Sequence, residues 1–202
     1  MNPAVERDLP LLRSAGLAGF FRSRELRQAG LARSRLLALL RAGAVERVWR
    51  GLYRLADAEV TENHSLAAVC ARIPNAIVCL LSALRVHEIG TQSPPAVWIA
   101  IPHKARLPRV PEIRLRIVRF SGAAQTFGVE ETWFEGVRVR ITSPARTIVD
   151  CFRLERLVGP EIPMEALLDA LRQRKVTVAE LDRMLRVFPS RRLAAALDVL
   201  LI

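Results

Sequence analysis

Residues 31–55 read LARSRLLALLRAGAVERVWRGLYRL, and this stretch decides how the N-terminal part of the chain folds. Apolar side chains recur at helical spacing on one side of it, at Leu36, Leu39, Leu40 and Val45. Gly43 stands where a residue in the left-handed conformation can end a helix. Beyond it the polarity alternates on both sides of Arg50-Gly51, which is a turn signal. The stretch therefore predicts an amphipathic helix followed by a short basic hairpin.

A shorter helix is predicted just upstream, over Ser23–Gly30, with Ser23 as its N-cap. Two short helices joined by a tight glycine turn and followed by a basic hairpin are the layout of a winged helix–turn–helix. In that motif the second helix enters the major groove of double-stranded DNA. We therefore predict a winged helix–turn–helix DNA-binding domain over residues 1–57. An amphipathic helix over residues 4–15, which Pro10 would kink, is expected to support it.

The distribution of charge agrees with this prediction. Of the 31 basic residues only Lys104 and Lys175 are lysines, so the placement of the arginines is more informative than their number. Residues 1–58 contain eleven arginines and five acidic residues, a net charge of +6, whereas the other 144 residues together carry +5. A local excess of positive charge is typical of a DNA-binding module. The candidate DNA-binding residues are Ser23, Arg33, Ser34, Arg35, Arg41, Arg47, Arg50 and Arg54.

Strand alternation makes a further prediction for the hairpin. Arg47 and Trp49 should share one face, and Val48 and Arg50 the other, unless the turn twists them. If Trp49 packs against the helices, Arg50 at the turn lies nearest to DNA. Arg47 would then have to reach a phosphate from the rim of the core.

The composition of the whole chain limits the protein class. With 202 residues, 51% of them hydrophobic, the chain can build one domain or two small ones with a packed core. A net charge of +11 favours nucleic acid or another polyanion as a partner. No apolar run reaches 18 residues and no signal peptide begins the chain, so a cytoplasmic protein without membrane contact is expected. The three cysteines form no close pair and are predicted to be buried free thiols.

Residues 58–202 predict an α+β domain, with a small mixed sheet surrounded by helices. Strands are expected over 76–80, 96–101 and 113–118, and a hairpin over 133–141 that turns at Glu135-Gly136. Helices are expected from about 61 to 73, 82 to 90, 143 to 156, 163 to 174, 177 to 187 and from 190 onward. Ser143 before Pro144 is a strong helix start, and Thr177 with Glu180 forms a capping box.

Motifs for catalysis are not found in the sequence. It contains no phosphate-binding loop, dinucleotide-binding glycine motif, zinc-protease histidine pair or nucleophile-elbow serine. The three histidines lie in different predicted elements, and Asp150 and Glu155, five residues apart on one predicted helix, do not share a face. Ser143 is better explained as a helix cap than as a nucleophile. We therefore predict no enzyme, no cofactor and no metal site.

Three segments carry a more specific signal, and together with the N-terminal part they resemble a known family. They are residues 73–87, 95–102 and 143–152, and Arg50-Gly51-Leu52-Tyr53 matches the end of that family's winged helix. The chain resembles, over roughly residues 20–188, the AbiEi-type antitoxins of type IV toxin–antitoxin (abortive infection) systems. It departs from them at Leu37-Ala38, where a polar or basic residue is frequent, and in its final segment, 190–198.

The resemblance implies a winged helix followed by a C-terminal antitoxin domain. It also implies a repressor that binds repeats in the promoter of its own operon and neutralises a co-transcribed nucleotidyltransferase-like toxin, with direct contact between the two proteins left open. A DNA-binding regulator without a toxin partner is the alternative, and an enzyme acting on nucleic acid is a distant third.

Overall fold

The computed structural model describes residues 3–200, which fall into two compact units with mixed α+β structure. The first unit comprises the chain up to Pro74 together with Thr132–Val139. The second comprises Asn75–Glu131 and the chain from Arg140 onward. The predicted domain boundary after residue 57 falls inside the first unit, and the segment 132–139 joins that unit from far along the chain.

The first unit places helices around a small antiparallel sheet. Its elements are α1 (Pro3–Ser14), β1 (Phe20–Arg22), a 3₁₀ turn (Glu25–Arg27), α2 (Arg33–Arg41), β2 (Val45–Trp49), β3 (Leu52–Leu55) and α3 (His64–Arg72). The strand order is β1-β3-β2. The core of the unit includes Leu12 and Phe21, with Leu26, Leu36 and Leu39 packed beside them. The helix–hairpin pattern predicted over residues 31–55 is therefore confirmed.

Helix α2 ends as the sequence predicts. Gly43 has a φ of 68°, in the left-handed region that favours glycine. The N–H of Ala44 donates to the carbonyl of Leu39 at 3.0 Å, and the N–H of Gly43 donates to that of Leu40 at 3.1 Å. This pair of hydrogen bonds satisfies carbonyls that the helix end would otherwise leave without partners.

The predicted helix over Ser23–Gly30 is wrong in extent and in its cap. Only Glu25–Arg27 forms a helical turn, of the 3₁₀ type, and its N-cap position is occupied by Arg24. The side chain of Glu25 reaches back to accept a hydrogen bond from the N–H of Arg22 at 2.7 Å. Glu25 thus stabilises the start of this turn, and Ser23 does not cap it.

The second unit contains most of a mixed five-stranded sheet and the helices that bury it. Its elements are β4 (Ile77–Val78), α4 (Leu80–Val86), β5 (Val97–Pro102), β6 (Leu115–Phe120), a 3₁₀ turn (Gly122–Gln125), β7 (Val129–Phe134), β8 (Val137–Thr142), α5 (Pro144–Arg153), α6 (Glu155–Val158), α7 (Ile162–Arg172), α8 (Val178–Val187) and α9 (Arg191–Leu200). The strand order is β6-β5-β4-β8-β7, and the turn-proximal ends of β7 and β8 belong to the first unit.

The helix starts of the second unit follow local signals. The Ser143 side chain accepts from the N–H of Arg146, and Pro144 occupies the first turn of α5. Thr177 and Glu180 form the predicted capping box at the start of α8. Along α5, Ile148, Val149 and Phe152 are buried in the core of the unit. Between residues 3 and 200 no helix is long and apolar enough to cross a membrane.

The three cysteines are buried free thiols, as predicted. They are Cys70, Cys79 and Cys151. Burial raises the pKa of the Cys70 thiol to about 12. A thiol held in its protonated form is a weak nucleophile, so Cys70 serves as a small core side chain.

Candidate nucleic-acid interface

One face of α2 is exposed and the other is buried. Leu36 and Leu39 pack into the core of the first unit. The exposed face carries Arg33, Ser34, Leu37 and Arg41. Residues 33, 37 and 41 follow each other at intervals of four, so they lie in one row along the helix. Three of the predicted DNA-binding residues, Arg33, Ser34 and Arg41, are therefore on one accessible surface.

Arg35 lies on the same helix but has a different role. Its Nε lies 2.7 Å from Oδ2 of Asp8 and its Nη2 lies 2.9 Å from Oδ1, which makes a two-point contact with a carboxylate that is 1% exposed. The hydrogen bond to Asp8 raises the pKa of Arg35. The prediction that Arg35 contacts DNA is corrected, because its guanidinium is used to attach α2 to α1. The contact links the two helices within the first unit.

The hairpin β2–β3 turns at Arg50-Gly51, with Gly51 at a φ of 77°. Arg50 is exposed at this turn, as predicted. Arg47 lies opposite Tyr53 and Trp49 opposite Leu52, so the register shifts between them at Val48. Because of this bulge Arg47 and Trp49 do not share a face, and that prediction is wrong. Arg47 is exposed, whereas Trp49 is half-buried.

Trp49 and Arg72 form a contact that the sequence does not indicate. The guanidinium carbon of Arg72 lies 5.3 Å from the centroid of the Trp49 ring, within the range of a cation–π interaction. Arg72 is the last residue of α3, so the contact links the hairpin to that helix within the first unit.

Two further candidate DNA-binding residues, Arg54 in β3 and Ser23 after β1, lie outside α2. Arg54 is buried, its Nη2 donates to the carbonyl of Ala58 at 2.5 Å, and its Nε lies 4.0 Å from a carboxylate oxygen of Glu135. A buried guanidinium with internal partners cannot bind a phosphate without being pulled out, so the prediction for Arg54 is corrected. Ser23 is half-buried before the 3₁₀ turn and does not cap it, contrary to the prediction.

Glu135, at the predicted hairpin turn, has a structural role that the sequence does not indicate. Its carboxylate accepts from the Thr61 N–H and hydroxyl, both at 2.9 Å, and lies 2.8 Å from Nδ1 of His64. Burial alone would raise the pKa of Glu135, but the hydrogen bonds from Thr61 and His64 lower it below its ordinary value. Its backbone carbonyl accepts from the Phe20 N–H at 2.9 Å. Glu135 therefore binds the 132–139 segment to three other parts of the first unit.

The acidic residues considered for catalysis have structural partners. Oδ2 of Asp150 lies 2.8 Å from Nε of Arg146, and Arg146 is 0% exposed. The guanidinium of Arg146 also donates to the carbonyl of Phe127 at 2.7 Å and lies 3.7 Å from the Phe188 ring centroid. Burial raises the pKa of Asp150 against the opposing effect of Arg146. Glu155 is paired with Arg192.

The histidines are separated in the structure as well. His64 contacts Glu135, Nε2 of His87 lies 2.7 Å from the carbonyl oxygen of Thr142, and His103 is exposed. Within residues 3–200 no cluster of three or more His, Cys, Asp or Glu side chains is arranged to hold a metal ion.

The fold is that of an α+β protein whose N-terminal unit presents an arginine-bearing helix beside a short hairpin. Residues 8–56, which include that helix and hairpin, match the family model described as a transcriptional regulator, AbiEi antitoxin. The resemblance predicted from the sequence is thus confirmed for this segment.

A solved structure has a related fold. The RV2827C protein from Mycobacterium tuberculosis aligns with 94% of this chain and 73% of its own, with a TM-score of 0.59 and 18% sequence identity. At this identity the likeness concerns the fold. A search of curated proteins found no match to the sequence.

Proposed function

We propose that this protein is a DNA-binding transcriptional regulator of the AbiEi antitoxin type, and that α1 to β3 form its winged helix–turn–helix. The observation that carries the proposal is the exposed row of α2, with Arg33 and Arg41 one turn to either side of Leu37. The family match over residues 8–56 covers this helix and the hairpin after it. A second helix inserted in the major groove uses residues near its N-terminus to contact base edges, which is where Arg33 and Ser34 lie.

The arrangement of the neighbouring contacts supports the same proposal. Arg35 and Asp8 hold α2 against α1, so the helix enters binding with its orientation already set. A preorganised surface loses less conformational freedom on binding than a mobile one. The exposed Arg47 and Arg50 extend the positive surface onto the hairpin, where they can contact phosphates.

The proposal extends to the operon. We expect the protein to bind repeats in its own promoter, to repress that promoter, and to neutralise a co-transcribed nucleotidyltransferase-like toxin through residues 58–202. The support for the toxin is the resemblance of residues 73–87, 95–102 and 143–152 to AbiEi-type antitoxins. In the structure these segments supply core residues of the second unit, among them Ile77, Trp98 and Ile148.

DNA binding is tested with Arg33→Ala on the duplex that covers the region upstream of the gene and on a random duplex of equal length. If Arg33 contacts a guanine through two hydrogen bonds, its loss costs about 1–3 kcal/mol on the promoter duplex and less on the random one. Fluorescence anisotropy at constant salt measures both. The matched control is Arg106→Ala, which removes an exposed arginine from the second unit and should leave the preference unchanged. Equal losses of affinity on both duplexes would show that Arg33 contacts a phosphate and not a base.

The antitoxin function is tested by co-expression with the adjacent gene. Rescue of growth by the full chain, but not by an empty vector, supports the toxin partner. Promoter binding without rescue favours the alternative, a regulator that has no toxin partner. Metal-dependent cleavage or modification of DNA by the purified protein would instead support an enzyme.

A further inference from the structure

The centre of the exposed row on α2 is apolar. Leu37 is 58% exposed, and within α2, which is described throughout, it is the large hydrophobic side chain that faces outward. Arg33 precedes it and Arg41 follows it by four residues, so both lie next to it on the helix surface. Leu37 therefore contributes little buried apolar surface to the first unit, because the residues of α2 that belong to the core, Leu36 and Leu39, lie on the opposite side of the helix.

Double-stranded DNA presents a matching pattern in its major groove. Phosphates and the N7 and O6 atoms of guanine attract arginine, and the one apolar group on the base edges is the C5-methyl of thymine. We propose that Leu37 reads a thymine methyl group at the centre of the site bound by α2. This inference rests on the proposed function and adds a specificity-determining residue to it.

The geometry of the helix makes the contact accessible. The Cβ of a helical residue tilts toward the N-terminus, so the Leu37 side chain leans toward Arg33 and Ser34, the part of α2 expected to lie deepest in the groove. The leucine side chain has no hydrogen-bond donor or acceptor, so Leu37 cannot distinguish bases through hydrogen bonds. It can distinguish them through apolar contact with the thymine methyl group.

The test removes one methyl group at a time. The probe is the duplex upstream of the gene, trimmed to the segment that the full-length protein protects from nuclease, with each thymine in turn replaced by deoxyuridine. The replacement deletes the C5-methyl and keeps Watson–Crick pairing. For the wild-type protein, at least one replacement should weaken binding by about three- to fivefold, the effect of one apolar carbon returned to water.

The variant Leu37→Ala should lose affinity for the thymine duplex and show no further loss at the same deoxyuridine position. Leu11→Ala, which shortens a leucine that is 42% exposed on α1, is the matched control and should retain the methyl dependence. Because Leu37 is exposed, its truncation should leave the thermal unfolding curve unchanged.

The outcomes separate this inference from the proposed function. If the wild-type protein prefers its promoter but tolerates every deoxyuridine replacement, the proposed role of Leu37 is wrong and the proposed DNA-binding function stands. A Leu37→Ala variant that keeps the full methyl dependence does the same, since another group must then contact the methyl. A wild-type protein with no preference for the promoter over random DNA overturns both.

Discussion

Arg33 in α2 and Arg146 in α5 have opposite environments, although each lies near the N-terminal end of its helix. On α2, Arg33 is exposed and lies two residues before Arg35, which is bound to Asp8. On α5, Arg146 is completely buried between aromatic rings and the carboxylate of Asp150. The same residue type thus provides an accessible cation in one unit and an internal ion pair in the other.

This difference shows that the neighbouring acidic residues determine whether an arginine is bound within the protein or remains exposed. An acidic side chain one turn away or across a helix interface converts it into a structural residue, as Asp150 does for Arg146 and Asp8 does for Arg35. Without such a partner in the core, the side chain remains in solvent, where it can bind a phosphate or a base. In a chain with 29 arginines the number of cations is therefore a weak guide to function.

The largest expected effect comes from the buried member of the comparison. Arg146→Ala leaves the carboxylate of Asp150 in the core without its main partner, and loss of one member of a buried pair costs about 3–5 kcal/mol. Urea denaturation of the full chain measures the free energy of unfolding. Arg156→Ala, which removes an exposed arginine from α6, should change it little.

A double variant distinguishes the cost of an orphaned charge from lost packing. Arg146→Met with Asp150→Leu removes both charges and keeps side chains of similar size, so it should recover most of the stability lost in Arg146→Ala. A loss in Arg146→Ala no larger than in Arg156→Ala would remove the contrast between the two helices.

The elements that the sequence predicts well have their determinants within a few residues. Gly43 ends α2, Ser143 begins α5 and Thr177 with Glu180 begins α8, and each signal acts through hydrogen bonds to its own helix turn. Strand β1 was missed because its three residues are too few to show a pattern. It exists because Phe20, Phe21 and Arg22 pair with Arg54, Tyr53 and Leu52 of β3.

The sequence predicts which candidate residues are exposed where exposure follows from helical periodicity. It does not predict the role of a residue whose contacts are made with a partner far away in the sequence. Arg33, Ser34 and Arg41 fall on the exposed side of α2, which the sequence pattern locates. Arg35 is satisfied by Asp8, 27 residues away, and Thr61 donates to Glu135, 74 residues further along. The bulge at Val48 likewise depends on the pairing of two strands. Such contacts have no local signature in a single sequence.

An intermediate effect is expected from Glu135, the carboxylate that holds the first unit together. Glu135→Ala removes the acceptor of two hydrogen bonds from Thr61 and one contact with His64, and should destabilise that unit by about 1–3 kcal/mol. Amide hydrogen exchange in β1, β3 and the start of α3 should become faster. Glu59→Ala, at an exposed position of the same unit, is the control.

The pH dependence gives a second readout for the same residue. The folded-state pKa of Glu135 is lower than its ordinary value of 4.5, so the folded state binds the proton less readily than the unfolded chain. The stabilisation is complete above about pH 4.5 and declines as the pH falls through the lowered pKa of the folded state. The wild-type first unit should therefore lose exchange protection in that window more steeply than Glu135→Ala. Equal slopes would show that Glu135 does not hold the unit in its ionised form.

The smallest effect is expected from Arg50, the exposed arginine at the hairpin turn. Gly51 allows the tight turn at which Arg50 is exposed, so the Arg50 guanidinium is accessible to a phosphate. A contact of this kind does not depend on sequence, because every nucleotide carries the same phosphate. Arg50→Ala should therefore weaken binding to promoter and random DNA by the same factor.

The salt dependence decides whether that contact exists. Each phosphate neutralised by the protein releases counterions, so losing one contact makes the slope of log affinity against log salt concentration shallower by about one. Arg106→Ala removes an exposed arginine from the second unit and should leave the slope unchanged. If Arg50→Ala and Arg106→Ala both keep the wild-type slope and affinity, the hairpin turn points away from the DNA. Arg50 would then belong with the arginines that only solvate the surface.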